Sequence, residues 1–456
     1  MRASFLLTGC ILLGVLTPTT SADDKNAQKV SFEKQVAPIL VKNCLACHGE
    51  RQPKGGYQLY TVELMLKAGD SLTDPITAGK PDDSELLRLI SETDKDSWMP
   101  KEGDRLADEE IEIVRRWIAE GAKFDGDPKA TLVSLAPRVY EPAPESYRVP
   151  MPVTAVAFNP AGAELAVSGY NEITIWNPAD GKLLRRIKNV AQRTYSLAYS
   201  PDGKTLAAAS GVPGVSGEVK LFNPANGDAI KLLGTMSDVA FCVAFSPKGD
   251  KLAAASADRS IRIYDLASGK EESLIEDHAD WVMSVAWNHD GTKLASASRD
   301  KTSKVFDAKT GESETTYNGH GQPVYGVCFS PDGKQVLTSG GDKKIHVWNP
   351  ADGKKVADIG GFGHEVYQVF CVGGNIYSCS ADKTARQHGL AKRNQVRSFA
   401  GHADWVYTLS FSAAAKRLAT GTFNGDVVVW NTEDGKQLLK FTAAPGFAQA
   451  KSPGSQ

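Results

Sequence analysis

Two cysteines and a histidine in the segment CLACH are the residues best suited to chemistry in the first part of the chain. Cys44 and Cys47 are separated by two residues, and His48 follows the second cysteine directly. This spacing is compatible with a redox dithiol, with part of a zinc site, or with covalent attachment of a haem. In a haem site, the two thiols bind the vinyl groups as thioethers and the imidazole binds the iron.

The haem is the interpretation that the surrounding sequence favours. A thioredoxin-like dithiol belongs to a βαβ context, whereas this motif ends a helical segment. A structural zinc ion needs four protein ligands, but residues 23–241 contain only two cysteines and one histidine. We therefore predict one covalently attached haem c, held through Cys44 and Cys47, with His48 as an axial ligand of the iron.

The second axial ligand is predicted to be a methionine. No other histidine precedes His278, so bis-histidine ligation within this segment is excluded. Met99 is favoured because Pro100 stiffens its loop, and a stiff loop can hold a thioether in place. Met65, in VELMLKAG, has the alternative role of a core residue in a short helix. An open sixth position on the iron is the remaining alternative.

The elements that must position these residues are helices between residues 30 and 125. SFEKQVAPILVKNC has the apolar spacing of an amphipathic helix, and DSELLRLI predicts a shorter one. DEEIEIVRRWIAEGA is the clearest case, because Ile111, Val114, Trp117 and Ile118 share one face and acidic residues fill its first turn. Residues 126–150 are rich in proline and predict a linker, with one short strand near Leu132 to Leu135.

The first 22 residues have the pattern of a secretory signal. Arg2 precedes an apolar run that is too short to span a membrane, and small residues follow it. We therefore expect an exported protein, periplasmic or secreted, and no later segment predicts a membrane span. Residues 23–125 hold 15 Lys and Arg against 21 Asp and Glu, whereas the whole chain has a net charge of −2. This balance does not favour nucleic acid, and it predicts a redox partner with a basic docking patch.

Residues 151–445 contain seven copies of one pattern, which starts with VAFNPAG at residue 156 and occurs for the last time as LSFSAAA at residue 409. Each copy predicts four short strands, and the second carries the insertion GVPGVSGE. The repeats resemble the WD40 family, which implies a seven-bladed β-propeller. The expected fold is thus multidomain: a small all-α domain, then an all-β propeller, with a flexible tail at residues 446–456.

The helical segment also resembles a known family. FEKQVAPILVKNCLACHG, KGGYQLYTVELMLKAGD and WMPKEGDRLADEEIEIVRRWIAEGA resemble the planctomycete-type cytochrome c domain over residues 31–124. The resemblance implies haem attachment at Cys44 and Cys47, axial His48, and Met99 as the second axial ligand. The family usually has two prolines after that methionine, and Lys101 takes the second place here.

The WD40 resemblance implies a structural hydrogen-bond chain in several blades, and each chain starts at a histidine. A metal site is disfavoured because each of these histidines stands in a different blade. The first three blades lack the histidine and are expected to close less rigidly. The implied chain members are His278 with Ser296 and Asp300, His320 with Thr338 and Asp342 and with Trp348 as the aromatic end, His364 with Ser378 and Asp382, and His402. Three residues depart from the family pattern: Phe306 and His388 replace the tryptophan in the fourth and sixth blades, and Asn424 replaces the aspartate in the seventh.

Large side chains recur at two equivalent positions around the predicted channel. In WD40 proteins these positions lie near the rim and contact partners, and Tyr, Trp and Arg dominate binding hot spots. We therefore expect a protein or peptide partner at this rim. The candidate residues are Tyr195, Phe241, Trp281, Met283, Tyr325, Tyr367, Trp405 and Tyr407.

The remaining cysteines are expected to be buried apolar residues, because they lie in strand-like runs. A hairpin across VGGN would pair residue 371 with 376 and 368 with 379, so a disulfide between Cys371 and Cys379 is not expected.

Two functions of different classes follow from the whole sequence. The first is an electron-transfer protein with a docking propeller. The alternative is a haem-containing oxidoreductase or sensor with an open sixth iron site. Enzymes that join a haem domain to a propeller would need eight blades and a second cofactor site, which makes the first function the favoured one.

Overall fold

The computed structural model describes residues 29–49, 53–125, 132 and 140–447. The chain forms two compact units that divide between Pro137 and Arg138. The predicted signal peptide, most of the predicted linker and most of the predicted tail lie outside the described residues. Within the described part, no helix is long and apolar enough to cross a membrane.

The first unit is helical, as its apolar spacing predicts. The α-helices whose bounds lie within its described residues are α1 Ala37–Asn43, α2 Leu45–His48, α3 Val62–Met65, α4 Glu85–Ser91 and α5 Asp108–Ala119. A π-helical turn, Phe32–Val36, precedes α1, and short 3₁₀ turns lie at Lys54–Gly56 and Pro81–Asp83.

The core of this unit forms where the apolar faces of these helices meet. Ile111, Val114, Trp117 and Ile118 of α5 are all buried, which confirms the predicted face. Phe32 packs against Trp117, with ring centroids 5.2 Å apart. The unit is small, so few residues hold its elements together.

Leu132 differs from the sequence prediction of a strand. It is helical, fully buried in the core of the first unit, and its amide donates to the carbonyl oxygen of Tyr60. Its apolar side chain is explained by burial against the helices rather than by sheet pairing.

The second unit is the predicted seven-bladed propeller. Each blade is a four-stranded antiparallel sheet made from four consecutive strands. The strands are β1 Val156–Phe158, β2 Leu165–Ser168, β3 Ile173–Trp176, β4 Leu183–Ile187, β5 Arg193–Tyr199, β6 Leu206–Val212, β7 Ser216–Phe222, β8 Ala229–Met236, β9 Ala240–Phe245, β10 Lys251–Ser256, β11 Ile261–Asp265, β12 Glu271–Ile275, β13 Val282–Trp287, β14 Lys293–Ser298, β15 Ser303–Asp307, β16 Ser313–Tyr317, β17 Val324–Phe329, β18 Val336–Gly340, β19 Ile345–Trp348, β20 Lys355–Ile359, β21 Val366–Val372, β22 Asn375–Ser380, β23 Ala385–Gly389, β24 Gln395–Phe399, β25 Val406–Ser412, β26 Arg417–Thr422, β27 Asp426–Asn431 and β28 Gln437–Thr442.

Burial follows the position of a strand within its blade. The second strand of each blade is almost wholly buried, whereas the fourth strand alternates between exposed and covered residues. The insertion in the second blade lengthens β6 and β7, which pair from Leu206 and Phe222 to Val212 and Ser216. The ring closes where blade seven packs against blade one, and Phe158 donates its amide to Ser410 Oγ there.

The implied hydrogen-bond chains are confirmed in the fourth and fifth blades. His278 contacts Asp300 through Nδ1 at 2.8 Å and Ser296 through Nε2 at 2.7 Å. His320 contacts Asp342 at 2.8 Å and Thr338 at 2.9 Å in the same manner.

The aromatic end of the fifth-blade chain departs from the expectation. Trp348 packs flat on Tyr317, with centroids 5.0 Å apart. Its Nε1 finds no hydrogen-bond partner among the described residues. Trp348 therefore contributes apolar stacking rather than a hydrogen bond to Thr338.

The prediction for His364 is wrong. This side chain is exposed and contacts Glu365, while Arg386 binds Asp382 at 2.7 Å. The other three histidines stand five residues before the rim residue of their blade, and Phe362 has that spacing in the sixth blade. Phe362 is accordingly buried, beneath the guanidinium of Arg386.

Blades one and two replace the missing histidine with tyrosines from residues 140–150. Tyr147 donates to the fully buried Glu172 at 2.7 Å, and Arg186 also binds that carboxylate. Tyr140 Oη lies 2.7 Å from Glu218 Oε2. A buried carboxylate is costly unless it is paired, so this segment supplies the polar partners that these two blades lack.

Tyr147→Phe should lower the free energy of unfolding of the propeller by about 1.5–3 kcal/mol, the range for a hydrogen bond to a charged group. Urea unfolding followed by circular dichroism measures the change. Tyr170→Phe is the matched control, because the Tyr170 hydroxyl contacts the neutral amide of Gln192 at 3.1 Å. An equal loss in both variants would contradict the role of the buried carboxylate.

His402 predicts a pH dependence of propeller stability. Burial lowers the pKa of His402 from 6.5 to about 4. Asn424 stands where other blades have aspartate, and His402 Nδ1 contacts the carbonyl oxygen of Lys383 instead. Below pH 6.5 the unfolded chain gains a proton here that the folded chain does not, so stability falls toward pH 4. The slope contributed by one such residue is at most about 1.4 kcal/mol per pH unit.

His402→Gln should therefore flatten the pH dependence of the unfolding free energy between pH 6.5 and pH 4, as measured by urea unfolding at each pH. His289→Gln is the control, because His289 is exposed in a turn. A wild-type slope that persists in His402→Gln would contradict the assignment.

Candidate functional site

A cavity in the first unit brings together all four residues that the sequence singled out. Cys44, Cys47, His48 and Met99 line a cavity of about 330 Å³. Met65 is fully buried in the helical core and does not line this cavity. Of the two candidate methionines, only Met99 therefore faces the space that the motif faces.

The end of α1 sets the position of the motif. Cys44 caps α1 and donates its amide to the carbonyl oxygen of Leu40, while the amide of His48 donates to the carbonyl oxygen of Cys44 at 3.0 Å. Gly49 follows, and a side chain there would lie 2.9 Å from the carbonyl oxygen of Leu45. One turn of helix thus presents both thiols and the imidazole to the same cavity.

A backbone carbonyl fixes the orientation of His48. His48 Nδ1 lies 3.0 Å from the carbonyl oxygen of Tyr57, and the two rings meet edge to face. Since a carbonyl can only accept, Nδ1 carries the proton and Nε2 keeps a free lone pair. Histidines that bind metals usually donate their second ring nitrogen in this way. Tyr57 is held in turn by its hydroxyl, which donates to the carbonyl oxygen of Met65 at 2.9 Å.

The two thiols of the motif are free and half-buried. Burial, reinforced by the neighbouring Cys47, raises the pKa of Cys44 to about 12. The thiol of Cys44 is therefore neutral at ordinary pH, as suits a wall of an apolar cavity.

Met99 reaches the cavity from a loop between α4 and α5. Its amide donates to the carbonyl oxygen of Leu89 at 3.1 Å, which ties the loop to α4. Leu86, Leu89 and Ile90 of that helix form part of the cavity wall, and Pro100 also lines it. The wall is thus mostly apolar, with thiol, imidazole and thioether groups as its distinctive donors. This donor set and this lining fit a haem bound through sulfur and nitrogen.

Aromatic residues form a second candidate site in the propeller. Tyr195, Phe241 and Trp281 follow one another in blades two to four, with centroids 5.2 and 5.5 Å apart. A second arc in blades five to seven has contacts between 5.0 and 6.3 Å. Met283 lies half-buried in the fourth blade. The members of the second arc are Tyr325, Tyr367, Tyr407, Trp405 and Phe423.

Phe423 is a member that the sequence prediction missed. It contacts both Trp405 and Tyr407, and it is 45% exposed. Phe423 belongs to a turn of the seventh blade rather than to the two repeat positions from which the rim was predicted. The aromatic surface therefore includes a turn residue in addition to the residues at the two repeat positions.

Cations occupy an equivalent turn in four successive blades. Each has a positive φ, between 64° and 75°, and each side chain is exposed. In the other three blades the equivalent turn holds Asn171, Gly214 and Gly425, which this backbone conformation favours. None of the four cations forms an ion pair within the described part of the chain. They are Arg259, Lys301, Lys343 and Lys383.

The fifth blade contains a polar cluster that the sequence analysis did not predict, because His346 joins His320 and Asp342 within one blade. His346 stacks on His320 with centroids 3.8 Å apart, and both rings approach Asp342 Oδ2. His346 Nδ1 contacts the hydroxyl of Tyr317 at 2.7 Å. Burial would raise the pKa of Asp342, but hydrogen bonds from both histidines hold it well below its usual value. We interpret the cluster as an extension of the structural chain of the fifth blade.

Comparison with known proteins supports the two kinds of domain. Residues 44–103 match the family model of planctomycete cytochrome C. Four segments, 230–265, 269–307, 311–349 and 393–431, match the WD domain, G-beta repeat. The molecule is thus a cytochrome-like helical unit followed by a propeller. More particularly, it joins a planctomycete-type cytochrome c domain to a WD40-repeat propeller.

A curated relative matches a short part of the chain. The intraflagellar transport protein 122 homolog of Danio rerio is 36% identical over 55 residues. The match covers 12% of this chain and 5% of that protein, so it carries no argument about the function of the whole molecule.

Proposed function

We propose that this protein is an exported c-type cytochrome that carries single electrons and docks a protein partner through its propeller. The observation that carries the proposal is the apolar cavity that Cys44, Cys47, His48 and Met99 line together. Export is supported by the family match of the helical unit and by the signal-like first 22 residues.

Each residue of the cavity has a separate task in this proposal. Cys44 and Cys47 hold the haem through thioether bonds, and His48 binds the iron through Nε2. Met99 supplies a soft thioether as the second axial ligand, which favours the reduced state. The bound haem supplies a one-electron iron couple. Because His48 and Met99 would both be iron ligands, the site would suit electron transfer better than oxygen or peroxide chemistry.

The acidic character of the helical unit favours a redox partner with a basic patch. Much of its local charge is already paired, since Glu102 contacts Lys54 at 2.7 Å and Glu110 contacts Lys42 at 3.1 Å. The excess of acidic residues, rather than any one ion pair, would therefore steer the partner.

Met99→Ala and Met65→Ala separate the two candidate sulfur ligands. The chain is produced with a c-type maturation system, and its ferric absorption is recorded in the far red, where a sulfur-to-iron charge-transfer band occurs. We expect the band to disappear in Met99→Ala and to persist in Met65→Ala. Met65→Ala should instead lower the free energy of unfolding by about 2–5 kcal/mol, because it empties a buried core position.

The same spectra test the alternative function. A high-spin ferric iron in the wild type that binds cyanide at once would show an open sixth position. The electron carrier would then give way to a haem-containing sensor or oxidoreductase.

The rim of the propeller is the proposed docking surface for a protein or peptide. Half-buried Tyr and Trp side chains offer rigid apolar area with a polar edge, which is typical of binding hot spots. The exposed cations in the adjoining turns favour an acidic segment in the partner.

Replacing Tyr325, Tyr367 and Tyr407 together by alanine should weaken partner capture by more than tenfold, because each ring is expected to contribute more than ~1 kcal/mol. Immobilised wild-type and variant chains are compared for capture from an extract of the source organism, and circular dichroism verifies the fold.

The matched control replaces three equally apolar residues of outer strands, Leu184, Ile230 and Leu274, which are 46–54% exposed. Equal capture by the rim variant and the wild type, or equal loss in the control, would contradict docking at the rim.

A further inference from the structure

Neighbouring blades meet through a repeating pair of residues in their first strands. The pair joins the residue aligned with Ala157 in one blade to the residue aligned with Phe158 in the next. At four of the seven boundaries a small side chain of one blade shares a core with an aromatic ring of the next, and at a fifth the small side chain, Ser410, accepts a hydrogen bond from the amide of the aromatic residue. These pairs are Ala157 with Tyr199, Ala198 with Phe245, Ala244 with Trp287, Ala286 with Phe329, and Ser410 with Phe158.

The boundary between blades five and six breaks this rule in both members. Cys328 replaces the small residue and Cys371 replaces the aromatic one, and their sulfur atoms lie 3.6 Å apart. Cys328 is 8% exposed and Cys371 is half-buried. In the sixth blade the aromatic residue stands one sequence position earlier, at Phe370. Its ring centroid lies 6.4 Å from that of Phe411 in the seventh blade.

We propose that Cys328 and Cys371 form a disulfide that joins β17 to β21 when the chain folds in an oxidising compartment. The sulfur atoms must approach from 3.6 Å to about 2.05 Å, which small movements of two side chains can supply. The bond would link residues of adjacent blades and close a long loop, so it would stabilise the ring mainly by restricting the unfolded chain.

The oxidant is an external disulfide, either a small molecule or a protein. One cysteine thiolate attacks it, forms a mixed disulfide and releases one thiol; the second cysteine then displaces the other thiol. Two cysteine thiols and one external disulfide thus give one new disulfide and two thiols, and the two protons pass to the released thiolates. Because burial raises the pKa of Cys328, the reaction is expected during folding, before the thiol is covered.

No other sulfur pair of the propeller has this geometry among the described residues. Cys242 Sγ lies 4.0 Å from the hydroxyl oxygen of Ser284 and 3.8 Å from the carbonyl oxygen of Val285. Cys371 pairs with Ile376 in its hairpin and Cys379 pairs with Gln368, as the sequence predicted, so these two cysteines do not oppose each other. Among the described cysteines of the propeller, Cys328 is therefore the one whose sulfur atom lies close enough to that of Cys371.

The test is a peptide map of the full haem-loaded chain, produced in an oxidising compartment, alkylated under denaturing conditions and digested without reductant. We expect the peptides of Cys328 and Cys371 to be cross-linked, about 2 Da lighter than their sum, with Cys242 and Cys379 alkylated. Alkylated Cys328 and Cys371, or either one linked to another cysteine, would overturn the proposal. The proposal rests on export but not on haem ligation, which the absorption spectrum of the same sample reports separately.

Thermal unfolding gives a second, independent readout. Reductant should lower the melting temperature of the wild-type propeller by a few degrees and leave Cys371→Ser unchanged. Cys242→Ser is the matched control and should respond to reductant like the wild type. The cross-link would be refuted if reductant left the melting temperature of the wild type unchanged and if that temperature equalled the one of Cys371→Ser.

Discussion

The packing of each blade against its two neighbours is the interaction on which the second unit depends. A four-stranded sheet buries its middle strands only if another sheet covers each face, so no blade is stable by itself. The clusters of buried residues accordingly lie between blades and not within them. The last blade supplies its own outer strand, β28, so closure rests on packing and hydrogen bonds between blades seven and one rather than on an exchanged strand.

The polar centre of a blade can be built from different residues as long as its buried charge is neutralised. Blades four and five use a histidine against an aspartate, whereas blade six uses Arg386, from its third strand, against Asp382. Blades one and two use tyrosines that come from outside the repeat. The expectation that blades without histidine close less rigidly assumed that a histidine must pair with the buried carboxylate. In this propeller arginine and tyrosine side chains also pair with it.

Much of the fold could be predicted from periodicity, because burial imposes the same spacing in every repeat and on every amphipathic helix. The seven blades and the buried face of α5 followed from such spacing. The prediction for His364 was wrong because the histidine of a blade stands five residues before its rim residue, and Phe362 has that position in the sixth blade. The approach of His346 to His320, and of Cys328 to Cys371, depends on pairing between strands and between blades, which a single linear pattern does not contain.

The helical unit has fewer elements than the propeller. The geometry of its site depends on backbone hydrogen bonds as much as on side chains. The carbonyl oxygen of Tyr57 decides which nitrogen of His48 is free, and the hydrogen bond from the Met99 amide to the carbonyl oxygen of Leu89 helps to decide where Met99 lies. Neither of these two backbone acceptors can be recognised in a sequence, because every residue carries a carbonyl oxygen. The residue types at the site were readable because thiol, imidazole and thioether chemistry is rare, whereas their orientation required the folded chain. Selection at such a site therefore acts on loop geometry that substitutions far from the four residues can change.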